Sequence, residues 1–98
     1  MVLLMQGAKE LGVLTSLTSL QLLNLSFNNI SNLEGIHQLQ MLRFLNITHN
    51  QVTSLQPITA LSGLTTLNAG SNKVQDTSAL KNLPALRVLA LHKNDIRK

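Results

Sequence analysis

Three histidines, four carboxylates and a recurring asparagine are the residues of this 98-residue chain best suited to chemistry. His37, His49 and His92 are the imidazoles, and no cysteine stands near them to complete a zinc set. Placed on the repeat described below, His49 and His92 fall on strand ends two repeats apart, ~10 Å at ordinary sheet spacing. A metal holds each ligand at about 2 Å, so that pair cannot share an ion. His37 falls on the opposite arm of its repeat. Glu10, Glu34, Asp76 and Asp95 are scattered, and no serine, histidine and carboxylate gather at working distance. The expectation is a non-enzymatic chain with no catalytic residue, no metal and no cofactor.

The asparagines, by contrast, are ordered. Asn28, Asn50, Asn72 and Asn94 return every 22 residues inside the pattern LxxLxLxxNxI. Its instances are Leu20, Leu23, Leu25, Asn28 and Ile30; then Leu42, Leu45, Ile47, Asn50 and Val52. Leu64, Leu67, Ala69, Asn72 and Val74 follow, and Leu86, Leu89, Leu91, Asn94 and Ile96 close the series. A fixed period of this length specifies a solenoid, in which each turn buries its apolar side against the next. The Leu-x-Leu core has the period of a strand, so Leu23 and Leu25 point inward while residues 22, 24 and 26 point out. Stacking sets these strands side by side in a parallel sheet, ~4.8 Å apart. The asparagine lies where the chain leaves the strand. Its amide carries both donors and an acceptor, which suits it to backbone groups that the turn leaves unpaired. The expectation is a structural asparagine ladder, in which a leucine substitution costs about 1–3 kcal/mol for each buried polar group left unpaired.

The other half of each repeat keeps a different beat. Ile30, Leu33, Ile36, Leu39, Leu42 and Leu45 are spaced by threes, as are Val52, Leu55, Ile58, Leu61 and Leu64. The third arm offers Val74, Thr77, Leu80, Leu83 and Leu86. An α-helix would smear such a stripe around its cylinder, whereas three residues per turn keep it on one side. Short 3₁₀ turns and extended pieces are therefore expected, not full helices. A degenerate first turn is read by stepping back 22 residues, which sets Leu3, Gln6 and Ala8 opposite Leu25, Asn28 and Ile30. Its threes run through Leu11, Leu14, Leu17 and Leu20. The chain then reads as one domain, 1–98, with 1–19 the degenerate repeat, 20–41, 42–63 and 64–85 full repeats, and 86–98 a truncated one. "LNAGSNKV" is the weakest copy, with Ala69 where a larger residue should fill the interior and Gly70 beside it.

These motifs, above all "LNLSFNNISNLEGIHQLQMLRFL" from Leu23 to Leu45, resemble the leucine-rich repeat, specifically the 22-residue class typified by the protein phosphatase 1 regulatory subunit. The resemblance covers nearly the whole chain. It implies an α/β-type leucine-rich-repeat solenoid with a short parallel β-sheet on the concave face and 3₁₀ or extended segments on the convex face. It also implies a protein-binding scaffold of regulatory, cytoskeletal, ciliary or basal-body kind, docking another protein on the concave sheet. Bacterial internalins use a similar repeat, and "VQDTSALKNLPAL" is similar to theirs, so a secreted internalin-like adhesin fragment is the alternative. Arrays of this family carry capping segments. Here Met1 enters at a strand position and Lys98 stops two residues after Ile96. The expectation is a piece of a longer array with further repeats or caps, or an array completed by end-to-end association.

The concave columns follow from the register. The first reads Leu22, Phe44, Thr66 and Val88; the second Asn24, Asn46, Asn68 and Ala90; the third Ser26, Thr48, Gly70 and His92; the fourth Phe27, His49, Ser71 and Lys93. Leu22, Phe44 and Val88 are apolar where solvent is expected, which marks an interaction surface unless neighbouring rows shield them. Phe27 sits at a turn position that commonly packs against the ridge. The candidate protein-binding set is Leu22, Asn24, Phe44, Asn46, Thr48, Thr66, Asn68, Val88 and His92.

Charge and composition narrow the partner and the setting. Up to Asn72 the charges cancel, and the net +4 lies wholly in the last 26 residues. That basic end makes nucleic acid the rival partner. Against it stand two phenylalanines, no tyrosine or tryptophan, and no arginine cluster, so there is no stacking platform. Three sequons begin at Asn24, Asn29 and Asn46, two of them mid-strand, where a glycan would block the sheet. The opening "MVLLM" is a five-residue apolar run with no basic segment before it, unlike a signal peptide. No apolar stretch nears the roughly 20 residues that span a bilayer, and the lack of cysteine favours a reducing compartment. A cytoplasmic protein away from membranes is expected.

Overall fold

Each Leu-x-Leu segment contributes one short strand, and each leucine-by-threes segment one 3₁₀ turn. The computed structural model describes residues 2–4 and 12–95. In chain order the elements are β1 (Val2–Leu4), η1 (Gly12–Leu14), β2 (Leu22–Asn24), η2 (Ile36–Gln38) and β3 (Phe44–Asn46). Then come η3 (Gln56–Ala60), β4 (Thr66–Asn68), η4 (Ser78–Asn82) and β5 (Val88–Ala90). The strands form one parallel sheet in sequence order. From β2 onward the pairing keeps the 22-residue register, with Leu22 opposite Phe44, Phe44 opposite Thr66, and Thr66 opposite Val88.

The first strand departs from the expected alignment. Leu3 pairs with Leu23, not with the level of Leu25. From Leu14 onward the buried positions again step by 22, through Ile36 and Ile58. The first turn, from Leu3 to Leu23, is therefore two residues shorter than the others. Gln6 and Ala8, which carried that alignment with Leu3, and Leu11, which opened the run of threes, lie outside the described residues, as do Met1, Ile96 and the two residues after Ile96.

The period of three has a direct structural cause. Ile36, Leu39 and Leu42 donate their N–H groups to the carbonyls of Leu33, Ile36 and Leu39 at 3.1, 2.9 and 3.1 Å. The inward-facing residues thus hydrogen-bond to one another, three apart, and remain on one side. All of them are buried, as are Leu55, Ile58, Leu61 and Leu64 in the next arm. The third arm is looser. Its corresponding bonds, Leu83 to Leu80 and Leu86 to Leu83, lengthen to 3.3 and 3.2 Å. Leu80 and Leu86 are half-buried there, contrary to an equal stripe, while Ala79 is buried. No further arm packs against this one among the described residues.

A second polar column, not anticipated, starts the arms. Asn32 Oδ1 accepts from the Glu34 N–H, Ser54 Oγ from the Gln56 N–H, and Asp76 Oδ1 from the Ser78 N–H. These positions also lie 22 apart, and short polar side chains that fold back on the backbone two residues on are ordinary turn formers. The Ser78 N–H, with the Ser78 hydroxyl second, holds the Asp76 carboxyl below its ordinary range.

Strand exit requires left-handed backbone. Phe27, His49, Ser71 and Lys93 have φ of 58, 56, 55 and 57°. None is glycine, so each repeat carries strain of the kind L-residues resist. Valine, with a branched Cβ, resists it most. Ser71→Val is expected to lower the unfolding free energy by about 1 kcal/mol, read as a shifted urea midpoint, whereas Ser71→Asn is expected to change it little because asparagine tolerates this conformation.

Candidate functional site

Behind the sheet, the recurring asparagines join adjacent repeats. Asn50 Nδ2 donates to the carbonyls of Leu25, Ile47 and Thr48 at 2.9, 3.0 and 3.1 Å, and its Oδ1 accepts from the Ile30 N–H at 3.0 Å. Asn72 repeats this with Ile47, Ala69, Gly70 and Val52, and Asn94 with Ala69, Leu91, His92 and Val74. Asn28 donates to Leu25 and Ser26. Each of Asn50, Asn72 and Asn94 thus bonds its own strand exit and the preceding repeat. Beside them runs a backbone ladder, Gln51 N–H to Ile30, Lys73 N–H to Val52 and Asp95 N–H to Val74.

In front, the strands present the expected columns in register. Leu22 is 37% exposed and Val88 57%, while Phe44 and Thr66 are half-buried. Neighbouring rows therefore shield Phe44 in part and leave Leu22 and Val88 open. Asn24, Asn46 and Asn68 stand side by side in the next column. Each folds its Oδ1 onto the N–H two residues on, at Ser26, Thr48 and Gly70. Ser26 and Thr48 add their hydroxyls to the same oxygens at 2.7 and 2.8 Å. This strand-end turn gives two of the sequons a purely local reason, since asparagine followed two residues later by a hydroxyl closes it twice. Thr48 is only 9% exposed and its hydroxyl is engaged, so it supports the face from within and offers a partner little surface. The amide oxygens of the three asparagines are likewise turned inward, which leaves their NH₂ groups.

The fourth column behaves differently from a ridge. Phe27 is 71% exposed and stacks on the ring of His49, centroids 4.2 Å apart and planes 10° from parallel. His92 lies elsewhere. A Cβ added at Gly70 would meet its Cε1 at 2.3 Å, so the imidazole rests on the bare Cα of Gly70. The weak third copy is thereby one half of a matched pair, with glycine under histidine. The two imidazoles engage separate neighbours, and no cluster of three or more His, Cys, Asp or Glu able to hold a metal occurs among the described residues. His37 lines an open groove on the convex side with Glu34, Pro57 and Thr59.

One column the sequence reading passed over completes the concave side. Gln21, Arg43, Thr65 and Arg87 form a rim column before the strands, held by Arg43 N–H to Gln21, Thr65 N–H to Arg43 and Arg87 N–H to Thr65 bonds of 2.8, 2.9 and 2.9 Å. A groove at this rim is lined by Gln21, Gln40, Met41, Arg43 and Thr65. The same 22-residue step that aligned the asparagines would have aligned this column.

Residues 18–60 and 40–82 match the family model described as Leucine Rich repeats (2 copies). Among solved structures, the chain is similar to an internalin C2 from Listeria monocytogenes, at 42% identity over 87% of this chain and a TM-score of 0.84. An internalin (inlF) of the same organism is similar at 32% identity over 87% of this chain, TM-score 0.83. The functional domain of InlJ from that organism, which includes a cysteine ladder, shares the fold at 22% identity over 87% of this chain and a TM-score of 0.78. The chain spans 38%, 25% and 18% of the length of those three chains. Among curated proteins none matches it.

Proposed function

The chain belongs to the leucine-rich repeat family, and from that premise we propose that it binds another protein across the open face of its sheet, with Leu22, Phe44 and Val88 as apolar anchors. The observation that carries this reading is the exposure of Leu22 and Val88 in one strand-face column with Phe44. A few well-packed, desolvated side chains near the centre of a patch, ringed by contacts that exclude water, carry most of the energy of such interfaces. Here the polar neighbours are Asn24, Asn46, Asn68 and Thr66, with His92 at the far corner. The reading is of a scaffold or regulatory module and not of a catalyst.

Phe44→Asp tests it. In a comparison of proteins recovered from a lysate of the source cells, the variant is expected to lose partners that wild type retains, with its melting temperature little changed. Recovery of the same partners by both would sink the concave-face reading. Raised salt separates the rival as well. Docking on Leu22 and Phe44 responds weakly to salt, whereas binding to nucleic acid falls steeply with it.

Two settings fit this activity, each with its own support. The cysteine-free composition fits a reducing cytoplasm, where a phosphatase-regulator, cytoskeletal or ciliary scaffold would work. The 42% identity to internalin C2 supports the second reading, an internalin-like array outside the cell. Fractionation of the source cells decides between them. Leu89, 42% exposed on β5 at a position whose counterparts Leu23, Leu45 and Leu67 are fully buried, fits further stacking on that edge by additional repeats or a second copy.

A further inference from the structure

Building on the concave-face reading above, we propose that the occupant is an acidic polypeptide segment bearing apolar side chains. Charge is the first observation. The segments that form the face and its two rims, 21–27, 43–49, 65–71 and 87–93, contain no aspartate or glutamate, but hold Arg43, Arg87 and Lys93 together with His49 and His92. Among the described residues, the carboxylates stand elsewhere. Glu34 and Asp76 lie on the convex arms beside the turns that open η2 and η4, and Asp95 follows the last ladder asparagine. A chain with four acidic residues in total thus keeps all the described ones off its sheet.

Hydrogen bonding is the second, independent observation. The backbone N–H of Ser26, Thr48 and Gly70 fixes which end of Asn24, Asn46 and Asn68 carries the oxygen, because only an acceptor can face a donor. The amide nitrogens therefore point away from those turns. Among the described residues none of the three has an intramolecular acceptor, and no buried side-chain nitrogen or oxygen lacks a partner, so these NH₂ groups meet solvent. Three donor groups then stand in a row at ~4.8 Å steps, with no matching row of acceptors. On the other side of the apolar column lie the Arg43 and Arg87 rim and its groove. A partner that answers both rows must bring acceptors and negative charge, and one that covers Leu22, Phe44 and Val88 must bring apolar groups between them. Carboxylates accept from amides and guanidinium groups in charge-assisted bonds. Phosphate chains supply the charge but not the apolar side chains.

The test titrates the ¹⁵N-labelled protein with a seven-residue peptide alternating glutamate and leucine, with its glutamine-for-glutamate analogue, and with a 12-nucleotide oligothymidine. The glutamate peptide is expected to move the side-chain NH₂ resonances of Asn24, Asn46 and Asn68 and to bind roughly tenfold tighter than the glutamine analogue at low salt. Arg43→Gln with Arg87→Gln should remove that advantage while leaving the melt unchanged, since both side chains are exposed. Equal affinities of the two peptides at the sheet would overturn the acidic preference and leave the concave-face reading standing. Shifts confined to Lys73, Lys81 and the convex arms would overturn both. Tighter binding of oligothymidine at the same asparagines would overturn the proposal in favour of nucleic acid.

Discussion

Asn50→Leu is expected to lower the unfolding free energy by about 3 kcal/mol, close to a third of what a marginally stable domain possesses. The size follows from counting what each partner keeps. Leu25 O retains the Asn28 amide, Ile47 O retains the Asn72 amide, and Thr48 O retains the Phe27 N–H. The Ile30 N–H has only Asn50 Oδ1. One buried donor is therefore orphaned at ~1–3 kcal/mol, and three carbonyls are each reduced by one bond. Leucine supplies no compensation, because the groups that face the side chain are backbone carbonyls and an N–H, none of which an alkyl group can satisfy. Asn94→Leu should cost about half as much: its partner Val74 N–H is left in a partly exposed setting where water can replace the amide. Denaturant midpoints with unchanged slopes would establish both values. Equal losses at the two positions would show that burial does not set the cost.

The repeat length follows from the 22-residue return of the asparagines, and the inward leucines and 3₁₀ arms from two periods, 2 and 3, which the side chains must obey whatever else varies. The asparagines could be assigned to strand exit because only an amide offers donors and an acceptor there. What escaped notice was relational. Gly70 looks like a defect until His92 is placed above it, and residues 22 positions apart touch only once the stack exists. Asn24, Asn46 and Asn68 were legible as outward-facing, but their inward-turned oxygens were not, because the turn that captures them depends on backbone directions at the strand end. Thr48 was placed among contact residues for the same reason, and the structure buries it. The first turn misled because its alignment assumed a constant period, whereas register is set by which strands pair.

That distinction bears on function. A face built of three-residue strands has no rigidity of its own. Its order comes from behind, where Leu23, Leu45 and Leu67, all fully buried, clamp β2, β3 and β4, and from the turn, where the asparagine ladder holds the strand exits. Substitutions on the concave columns can therefore alter the partner without disturbing the clamp, which is how one fold serves many binders. Substitutions behind the sheet move the whole face.

Leu45→Ala is the sharpest case of the latter. Leu45 is the central residue of β3, fully buried, with Leu23 and Leu67 paired on its two sides. Removing its isobutyl group leaves a cavity that strands fixed on both flanks cannot close, so a cost of about 3–5 kcal/mol is expected, the upper part of the range for such changes. Leu89→Ala removes the same atoms from the same repeat position on β5. There the side chain is 42% exposed, so little transfer energy is lost and no enclosed void forms; the expected cost is about 1 kcal/mol or less. In a stacked array, stability is close to a sum of repeat and nearest-neighbour interface energies, and the ratio of the two losses measures how much of each repeat's energy resides in its interfaces. Thermal and urea unfolding at two protein concentrations would supply it. Similar costs at both positions, with a melt that rises with concentration, would mean that the β5 edge is covered in solution by a second copy, and Leu89 would then belong to an interface and not to an open end.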